Sequence, residues 1–415
     1  MIYKSNNMNE KLFIDLFSGC GGLSLGLMQA GWTGIFAVEK TTGAFNTLKY
    51  NLIDGPRYSY SWPEWLPVEN MEVGFLINQY KDKLMNLRGR VTLIAGGPPC
   101  QGFSMAGRRD PNDPRNRLAE QYIEVVKLVR PKYILLENVR GFNASFSKGK
   151  GSAEPYSQVV KALLEEIGYG VSFQVVKSSD WGIPQHRPRF ILIAKLGAKS
   201  DEFNPFSGLS NFRHYFLQKY NLPVDRVTTV KDAISDLETH GRQLIENRDS
   251  GISGFFELDY QPPISPSRYL KYLRDDFEYG IPNSLRLPRH TDKIKERFKR
   301  ILSVCPKGVT IQKKYRDVLE IKKQAFTPLH PNMPSATVTT LPDDILHYSE
   351  PRILTVRENA RLQSFPDWFE FRDAYTTGGA QRKTTCPRYT QVGNAVPPLL
   401  GRALGEYISM IDEAI

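Results

Sequence analysis

Short apolar runs alternate with segments of helical spacing over the first 195 residues of the chain. The runs lie at 11–17, 34–40, 91–97, 131–139 and 189–196. They are apolar at nearly every position, which is typical of strands that are buried on both faces of a sheet. Segments such as "LAEQYIEVVKLV" and "SQVVKALLEEIG" have helical spacing and lie between them. The pattern predicts a doubly wound α/β fold, in which helices cover both sides of a mostly parallel sheet.

This alternation stops after about residue 200, and scattered prolines and many charges follow. Helical pieces such as "TVKDAISDLE" and "TDKIKERFKRIL" interrupt that region. From about residue 335, "PSATVTTL" predicts a strand, "TVRENARLQSFP" predicts a helix, and an amphipathic helix ends the chain. We therefore predict a larger domain that begins at 1–200 and returns at 336–415, with a smaller domain inserted at 201–335.

Composition and charge narrow the class of protein. Hydrophobic residues make up 40% of the chain and charged residues 24%, as in ordinary globular proteins. The segment 286–325 holds 13 basic and 4 acidic side chains, which is +9 of the net charge of +11. Such a patch is typical of proteins that bind a phosphate backbone, although a solvated helix face has the same pattern. A signal peptide and a membrane span are not predicted, so we expect a cytoplasmic protein.

The four cysteines lie far apart, and their spacing favours neither a disulfide framework nor a zinc site. We expect free thiols and no metal, and Cys20, Cys305 and Cys386 have the ordinary reading of small buried residues. Cys100 differs, because it follows an apolar run in the turn "GGPPCQGFS". Ligands bind at the carboxyl ends of parallel strands, and two prolines stiffen this turn. A held and accessible thiol is what a nucleophile requires.

The first apolar run ends in the glycine-rich turn "SGCGG". Gly19, Gly21 and Gly22 permit a tight turn and the close approach of a ligand. Glu39 lies 20 residues beyond Gly19 and can accept hydrogen bonds from a ribose diol. Together these residues favour a nucleoside-containing cofactor, and the alternative is a turn that serves only helix–sheet packing. The spacing G-x-G-G differs from the dinucleotide pattern G-x-G-x-x-G, which argues against a nicotinamide dehydrogenase.

Two further segments bring charged side chains to strand ends. Glu137 lies at the end of an apolar run and can act as a general acid, or it can simply cap a helix or form an ion pair. Gln185, Arg187 and Arg189 alternate in "WGIPQHRPRFILI", so a strand would place them on one face. Two arginines on one face suit a phosphate or a base edge, while a solvated sheet edge is the alternative.

Six segments of the chain resemble the ordered motif blocks of the C5-cytosine DNA methyltransferase family. They are "DLFSGCGG", "GGPPCQGFS", "ENV", "QHRPR", "PRILTVRENARLQSFP" and "QVGNAVPP", in this order. The resemblance covers 11–195 and roughly 335–412, and that family has its variable target-recognition region in the gap between them. It implies a Rossmann-like fold that binds S-adenosylmethionine, and a DNA (cytosine-5-)-methyltransferase of the prokaryotic restriction–modification type.

The resemblance also implies roles for individual residues. Cys100 would attack C6 of cytosine, Glu137 would contact N3 and the amino group, and Arg187 would support the base, with Arg189 in the same block. The residues implied for the cofactor are Phe17, Gly19, Gly21, Gly22, Glu39, Pro98, Leu118, Asn394 and Val396. The residues expected to contact DNA are Gln185, Arg286, Arg289, Lys293, Arg297, Arg300, Lys313 and Lys314.

Two departures from the family pattern concern the adenine of the cofactor. The family usually reads the adenine amino group with an acid, most often Asp in an Asp-Ile pair. Here the segment is "PVENMEVGFL", and Glu69, Asn70 and Glu72 are the alternatives for that part. Lys40 follows Glu39 at a position where the family often has an aromatic or apolar residue.

The implied reaction requires that the target cytosine be flipped out of the duplex, because a thiolate cannot reach C6 inside the stack. The expected partners are double-stranded DNA with a short recognition sequence and a cognate restriction endonuclease, and the expected product of the cofactor is S-adenosylhomocysteine. We expect a monomer in the bacterial cytoplasm. Two alternatives are an enzyme of the same chemistry acting on RNA such as tRNA, and a catalytically silent DNA-binding or scaffold protein. The large variable region favours DNA, and the presence of Cys100, Glu137 and Arg187 favours an enzyme.

Overall fold

A six-stranded sheet forms the centre of the molecule. This computed structural model describes residues 10–99, 117–144, 154–275, 277–376 and 385–413. The strands of the sheet are β1 (Leu12–Leu16), β2 (Thr33–Val38), β3 (Leu93–Gly96), β4 (Tyr133–Val139), β5 (Tyr169–Lys177) and β6 (Pro188–Leu196). All five apolar runs of the sequence correspond to strands. The alternating strand β5 was not predicted, because polar residues such as Ser172 and Gln174 interrupt its apolar positions.

The strand order is β2-β1-β3-β4-β6-β5, and β1 to β4 run parallel to one another. The prediction of a mostly parallel sheet is therefore confirmed. β6 is the exception, because it pairs antiparallel with both β4 and β5. Only residues 178–187 connect β5 to β6, and this connection is too short for the helical crossover that a parallel pair requires.

Helices cover both faces of the sheet, as the sequence predicts. On one face lie α1 (Gly22–Gln29), α2 (Thr42–Leu52) and α13 (Pro398–Glu413), and their side chains share a core with Phe13, Leu93 and Ile191. The other face is covered by α3 (Val73–Met85), α4 (Arg117–Val129) and α5 (Tyr156–Glu166). Alternate residues of each strand thus enter two separate apolar cores. The C-terminal helix α13 packs on α1, where Gly26 allows the backbones to approach closely.

Shorter elements follow the sheet. The helices are α6 (Leu209–Lys219), α7 (Val230–Ile234), α8 (Arg268–Leu273), α9 (Asp292–Val304), α10 (Lys313–Val318), α11 (Val356–Leu362) and α12 (Arg388–Asn394). Two small sheets pair β7 (Leu244–Glu246) with β8 (Phe256–Leu258) and β9 (Thr327–Pro328) with β10 (Ile345–Leu346). The predicted strand in "PSATVTTL" is wrong, because only Ser335 forms a bridge there, with Gln185.

The predicted inserted domain, residues 201–335, begins with elements that belong to the core of the sheet. Phe212 and Phe216 of α6 pack against Trp181 and Tyr407, and α7 and α8 contribute Ile234 and Leu273 to the same core. The three-part division of the chain stays a prediction. No helix among the described residues is both long and apolar enough to span a bilayer.

Candidate active site

An ion pair stands at the carboxyl end of the central strand β4. Glu137 is near the end of β4, and the antiparallel register places Arg189 of β6 opposite Val139, two residues further along. Arg189 Nε lies 2.7 Å from Glu137 Oε1, and each side chain is about one-tenth exposed. A charge-assisted hydrogen bond in a nearly dry position fixes both groups. The carboxylate and the guanidinium therefore face the edge of the sheet where ligands bind.

The segment that leaves β3 is held against this ion pair. Glu137 Oε2 lies 3.1 Å from the point that a Cβ atom at Gly97 would occupy. Asn138 Nδ2 donates a hydrogen bond of 3.1 Å to the carbonyl oxygen of Pro98. Cys100 itself lies outside the described residues. Pro98, which lies two positions before Cys100 in the sequence, is thus bonded to β4 directly beside Glu137.

Arg187 serves a different set of partners from Arg189. Its guanidinium is buried and donates to the carbonyl oxygens of Val338 (2.9 Å), Gly393 (2.9 Å) and Ala395 (3.1 Å). Burial holds the pKa of Arg187 well below its usual value, and the charge of Arg189 lowers this pKa further. Arg187 thus joins the strand edge to the returning chain, whereas Arg189 is the arginine that pairs with Glu137.

Gln185 is a structural residue in this fold. The side chain is fully buried, and its amide donates to Leu362 O and Gln363 Oε1 while its oxygen accepts from Val338 N. The DNA contact of Gln185 stays a prediction, and in this structure both polar atoms of its side chain have partners inside the protein.

The glycine-rich turn after β1 is joined to Glu39, which follows β2. Gly19 has a left-handed φ of +56° and donates its N–H to Glu39 Oε2 over 3.0 Å. The other carboxylate oxygen accepts from Thr41 N over 2.8 Å. A Cβ atom at Gly19 would meet no atom of the described residues within 4 Å, so the described part of the chain leaves space beside this turn. An open cradle beside a fixed carboxylate fits a nucleoside ligand.

The other two glycines of this turn have packing roles. Gly21 has φ +93°, and a Cβ atom there would lie 2.8 Å from Leu52 Cδ1. A Cβ atom at Gly22 would lie 2.2 Å from the carbonyl oxygen of Val396. Both glycines are therefore required where α1 meets α2 and α13, whatever they contact in addition. Phe17 shares the strained backbone of this turn, with φ +61°.

The remaining residues predicted for the cofactor are spread over three elements. Pro98 is buried after β3, Leu118 is half-buried at the start of α4, and Asn394 is exposed at the end of α12. Of the three alternatives for the adenine contact, Asn70 donates to the carbonyl oxygen of Lys40 over 2.9 Å. Glu72 lies 4.0 Å from the Lys40 ammonium, and Glu69 is exposed. Asn70 is thus the side chain that is fixed at the end of β2.

Comparison with known proteins decides the family. The family model for C-5 cytosine-specific DNA methylase matches residues 12–410. The chain is 33% identical to Type II methyltransferase M.DdeI of Desulfomicrobium norvegicum, over 97% of this chain and 89% of the relative. It is 31% identical to Type II methyltransferase M.XorII of Xanthomonas oryzae pv. oryzae, over 97% of this chain and 85% of the relative.

The chain belongs to the C-5 cytosine-specific DNA methylase family. It is a DNA cytosine-5 methyltransferase, as the six motif segments predict, and membership of the family implies that it uses S-adenosylmethionine. The fold of this methylase matches the crystal structure of a prophage-encoded DNA modification methyltransferase of Escherichia coli. The TM-score is 0.66 at 24% identity, covering 97% of this chain and all of the other.

The basic residues predicted to contact DNA differ in exposure and in the elements that carry them. Arg286 is half-buried between the rings of Phe255 and Tyr375, with its guanidinium carbon 4.2 Å and 3.9 Å from the two ring centres. Arg289 is exposed beside the same Phe255 ring. The helices α9 and α10 carry the others, of which Lys293, Arg300, Lys313 and Lys314 are exposed and Arg297 is half-buried.

The sequence analysis assigned no role to two buried polar residues, Asp15 and Asn138. Asp15 lies inside the apolar run of β1, where a carboxylate is unexpected, and it is buried. It accepts a hydrogen bond from Ser24, whose hydroxyl accepts from Tyr60 over 2.6 Å. Burial raises the pKa of Asp15 to about 7. Asn138 directly follows Glu137, and its position at a strand end was the available clue to its contact with Pro98.

Proposed function

We propose that this methylase adds the Cys100 thiolate to C6 of a cytosine that has been flipped out of duplex DNA. The observation that carries the proposal is the ion pair between Glu137 and Arg189 beside the tethered Gly97–Pro98 segment. Cys100 lies two positions beyond Pro98, and a stretch of two residues spans at most about 7 Å. We infer from this reach that the thiol can approach the carboxylate.

Glu137 and Arg189 have different roles in the proposed reaction. Attack on C6 moves electron density toward N3 and O2 of the ring, and C5 becomes nucleophilic. The Glu137 carboxylate is positioned to accept a hydrogen bond from the amino group and to hold a proton at N3. The Arg189 cation fixes Glu137 and stabilises negative charge that develops on the ring. Both groups are preorganised, because their mutual contact exists before the base enters.

The residues around the glycine-rich turn fit the cofactor. S-adenosylmethionine supplies an electrophilic methyl group when it is bound. Gly19 offers open space, and Glu39 is held in place by Gly19 and Thr41 so that its carboxylate can accept from a ribose hydroxyl. Among the candidates for the adenine contact, we favour Asn70, because its amide already bonds to Lys40 and thereby fixes the side chain.

The protein must also offset the cost of extruding the base, which is a few kcal/mol. We propose that Arg286, Arg289 and the basic helices α9 and α10 bind phosphates near the target and supply that free energy. The relatives named Type II methyltransferases support a place in a restriction–modification system, with a cognate endonuclease as partner. In that setting the chain marks one short sequence in its host DNA.

Labelled S-adenosylmethionine tests the proposal directly. The purified protein is incubated with the label and with either duplex DNA or tRNA, and Cys100→Ser and Cys305→Ala variants are treated alike. Cys305 is a buried thiol in a small apolar cluster far along the chain, which makes it the matched control. We expect label in DNA for the wild type and for Cys305→Ala, and none for Cys100→Ser.

A second arm tests the covalent step. DNA that contains 5-fluorocytosine at the target carries fluorine in place of the proton that must leave C5. The wild type should form a stable protein–DNA adduct, and Cys100→Ser should form none. If label appears in tRNA alone, the substrate is RNA and not DNA. If the active enzyme forms no adduct, the covalent route is contradicted.

A further inference from the structure

The hairpin of β7 and β8 presents an apolar side chain at its tip. Ile252 is 61% exposed, and it lies between Gly251 and Gly254, which have φ of +65° and +78°. Ser250 Oγ donates to Ile252 O over 2.9 Å, and Ile252 N lies 3.3 Å from the same hydroxyl. The tip is therefore an ordered turn. An exposed isoleucine there contributes little to folding, since its surface stays in water.

Both sides of this tip are anchored. On one side, Asp249 accepts hydrogen bonds from Arg388 Nη1 over 2.5 Å, from the Tyr375 hydroxyl and from Ser284 N over 3.1 Å. On the other side, the Phe255 ring stacks under the Arg286 guanidinium. The arginine partner holds the pKa of Asp249 below its usual value, against the effect of burial. The tip from Ser250 to Gly254 thus projects from a fixed base.

That base is connected to the candidate active site. Arg388 begins α12, and the carbonyl oxygens of Gly393 and Ala395 at the end of this short helix accept from Arg187. Arg187 is two residues from Arg189, which pairs with Glu137. Hydrogen bonds at both ends of α12, together with the helix itself and the start of β6, therefore connect the hairpin to the Glu137–Arg189 ion pair.

We propose that the tip Ser250–Gly254 enters a groove of the DNA beside the target cytosine, and that Ile252 is a specificity-determining residue. The inference rests on the proposed action on duplex DNA. Arg289 lies beside Gly254 and the Phe255 ring and provides positive charge for a neighbouring phosphate, whereas the half-exposed Arg248 is paired with Glu257. The two glycines permit close approach of the backbone to base edges. Ile252 supplies an apolar contact, of the kind that reads the methyl group of thymine.

The test compares Ile252→Ala with a matched variant, Ile264→Ala. Ile264 is fully exposed in the same region of the chain, at 103% of its reference area, so both substitutions shorten an exposed isoleucine. Each variant and the wild type are expressed in cells that lack cytosine methylation. Bisulfite sequencing then gives the methylated sites, and labelled S-adenosylmethionine gives the rates on an oligonucleotide with the wild-type site.

We expect Ile252→Ala to lose about tenfold or more in rate at the wild-type site, or to accept another base pair at one position of that site. Ile264→Ala should match the wild type in both respects, and both variants should keep the thermal unfolding midpoint of the wild type. If the wild type is active and Ile252→Ala methylates the same sites at the same rates, the inference is overturned and the proposed function is not. A wild type that methylates no DNA would overturn the proposed function, and the inference with it.

Discussion

The sheet and the predicted target-recognition region, residues 201–335 and called the recognition region below, are stabilised in different ways. Two large apolar cores on opposite faces of the sheet hold its strands and helices together. Apart from the residues that α6, α7 and α8 contribute to the first of these cores, the described part of the recognition region has two much smaller clusters, one of which consists of Leu237, Leu258, Tyr260 and Leu285. Buried ion pairs join this region to the returning chain instead. Apolar contacts are non-directional, whereas ion pairs with bidentate geometry fix an orientation.

One network shows how this orientation is fixed. Arg361 of α11 is buried and binds Asp367 through Nε and Nη2, each over 2.8 Å, and Asp236 through Nη1 over 2.6 Å. Asp367 also accepts from Arg274, over 2.6 Å. Asp236 and Arg274 lie in the recognition region, and Arg361 and Asp367 lie in the returning chain. A hydrogen bond from Thr239 of the recognition region to Glu350 of the returning chain also joins the two parts.

Of the predictions that test this comparison, the removal of the Asp367 carboxylate has the largest expected effect on the free energy of unfolding. Asp367→Asn leaves Arg361 and Arg274 buried without their shared carboxylate, and we expect the free energy of unfolding to fall by about 3 to 5 kcal/mol. Urea denaturation measures the change. The matched control is Asp343→Asn, which breaks an ion pair of an exposed carboxylate with Lys323 and should cost at most about 1 kcal/mol. Equal losses for the two variants would show that ion pairs do not hold the recognition region in place.

The second prediction contrasts two buried aspartates by their dependence on pH. Arginine partners hold the pKa of Asp367 below its usual value, so the stability that it contributes is present above the unfolded pKa and is lost as the pH falls. Within the described part of the chain, Asp15 of the sheet has no arginine partner, and burial raises its pKa to about 7 from 3.8. Its contribution is fully present below pH 3.8 and is lost as the pH rises to about 7.

Asp15→Asn isolates this contribution, because the amide cannot ionise. Between pH 5 and pH 8 the Asp15 carboxyl should lower the free energy of unfolding of the wild type by roughly 3 kcal/mol, and the variant should lack that component. Urea denaturation at the two pH values measures the difference. The exposed Asp54→Asn variant is the control and should keep the wild-type dependence. An unchanged pH dependence in Asp15→Asn would mean that the carboxyl is not held neutral by burial.

The same contrast explains what the sequence could predict. A strand buried on both faces is a continuous apolar run, so β1, β3 and β4 and the residues at their ends, Gly19 and Glu137, could be predicted from local pattern. The fold class and the place of Glu137 at the sheet edge follow from such runs. β5 and the antiparallel direction of β6 could not be predicted in this way, because they depend on a short connection rather than on hydrophobicity.

Contacts between residues that are far apart in the sequence could not be predicted from local pattern. Gln185 looks like a solvated edge residue in "QHRPR", and its burial depends on Val338 and Gln363, which arrive from more than 150 residues away. The ion pair of Arg361 with Asp236 has the same character, since most charged residues are solvated and a sequence does not show which are not. The choice of Arg189 over Arg187 as the partner of Glu137 likewise depends on strand register.

The smallest expected effect concerns the basic helix α9. If the recognition region binds phosphates and the sheet does not, Lys293→Ala should reduce the slope of log binding constant against log salt concentration by about 1. Lys81→Ala on the exposed side of α3 is the matched control and should leave the slope unchanged. The measurement is a salt titration of binding to duplex DNA by fluorescence anisotropy. Because each phosphate contact releases its counterions independently of sequence, the loss should be equal for cognate and unrelated duplexes. A slope that changes for both lysines, or for neither, would remove the electrostatic difference between the two regions and would leave α9 as a solvated helix face.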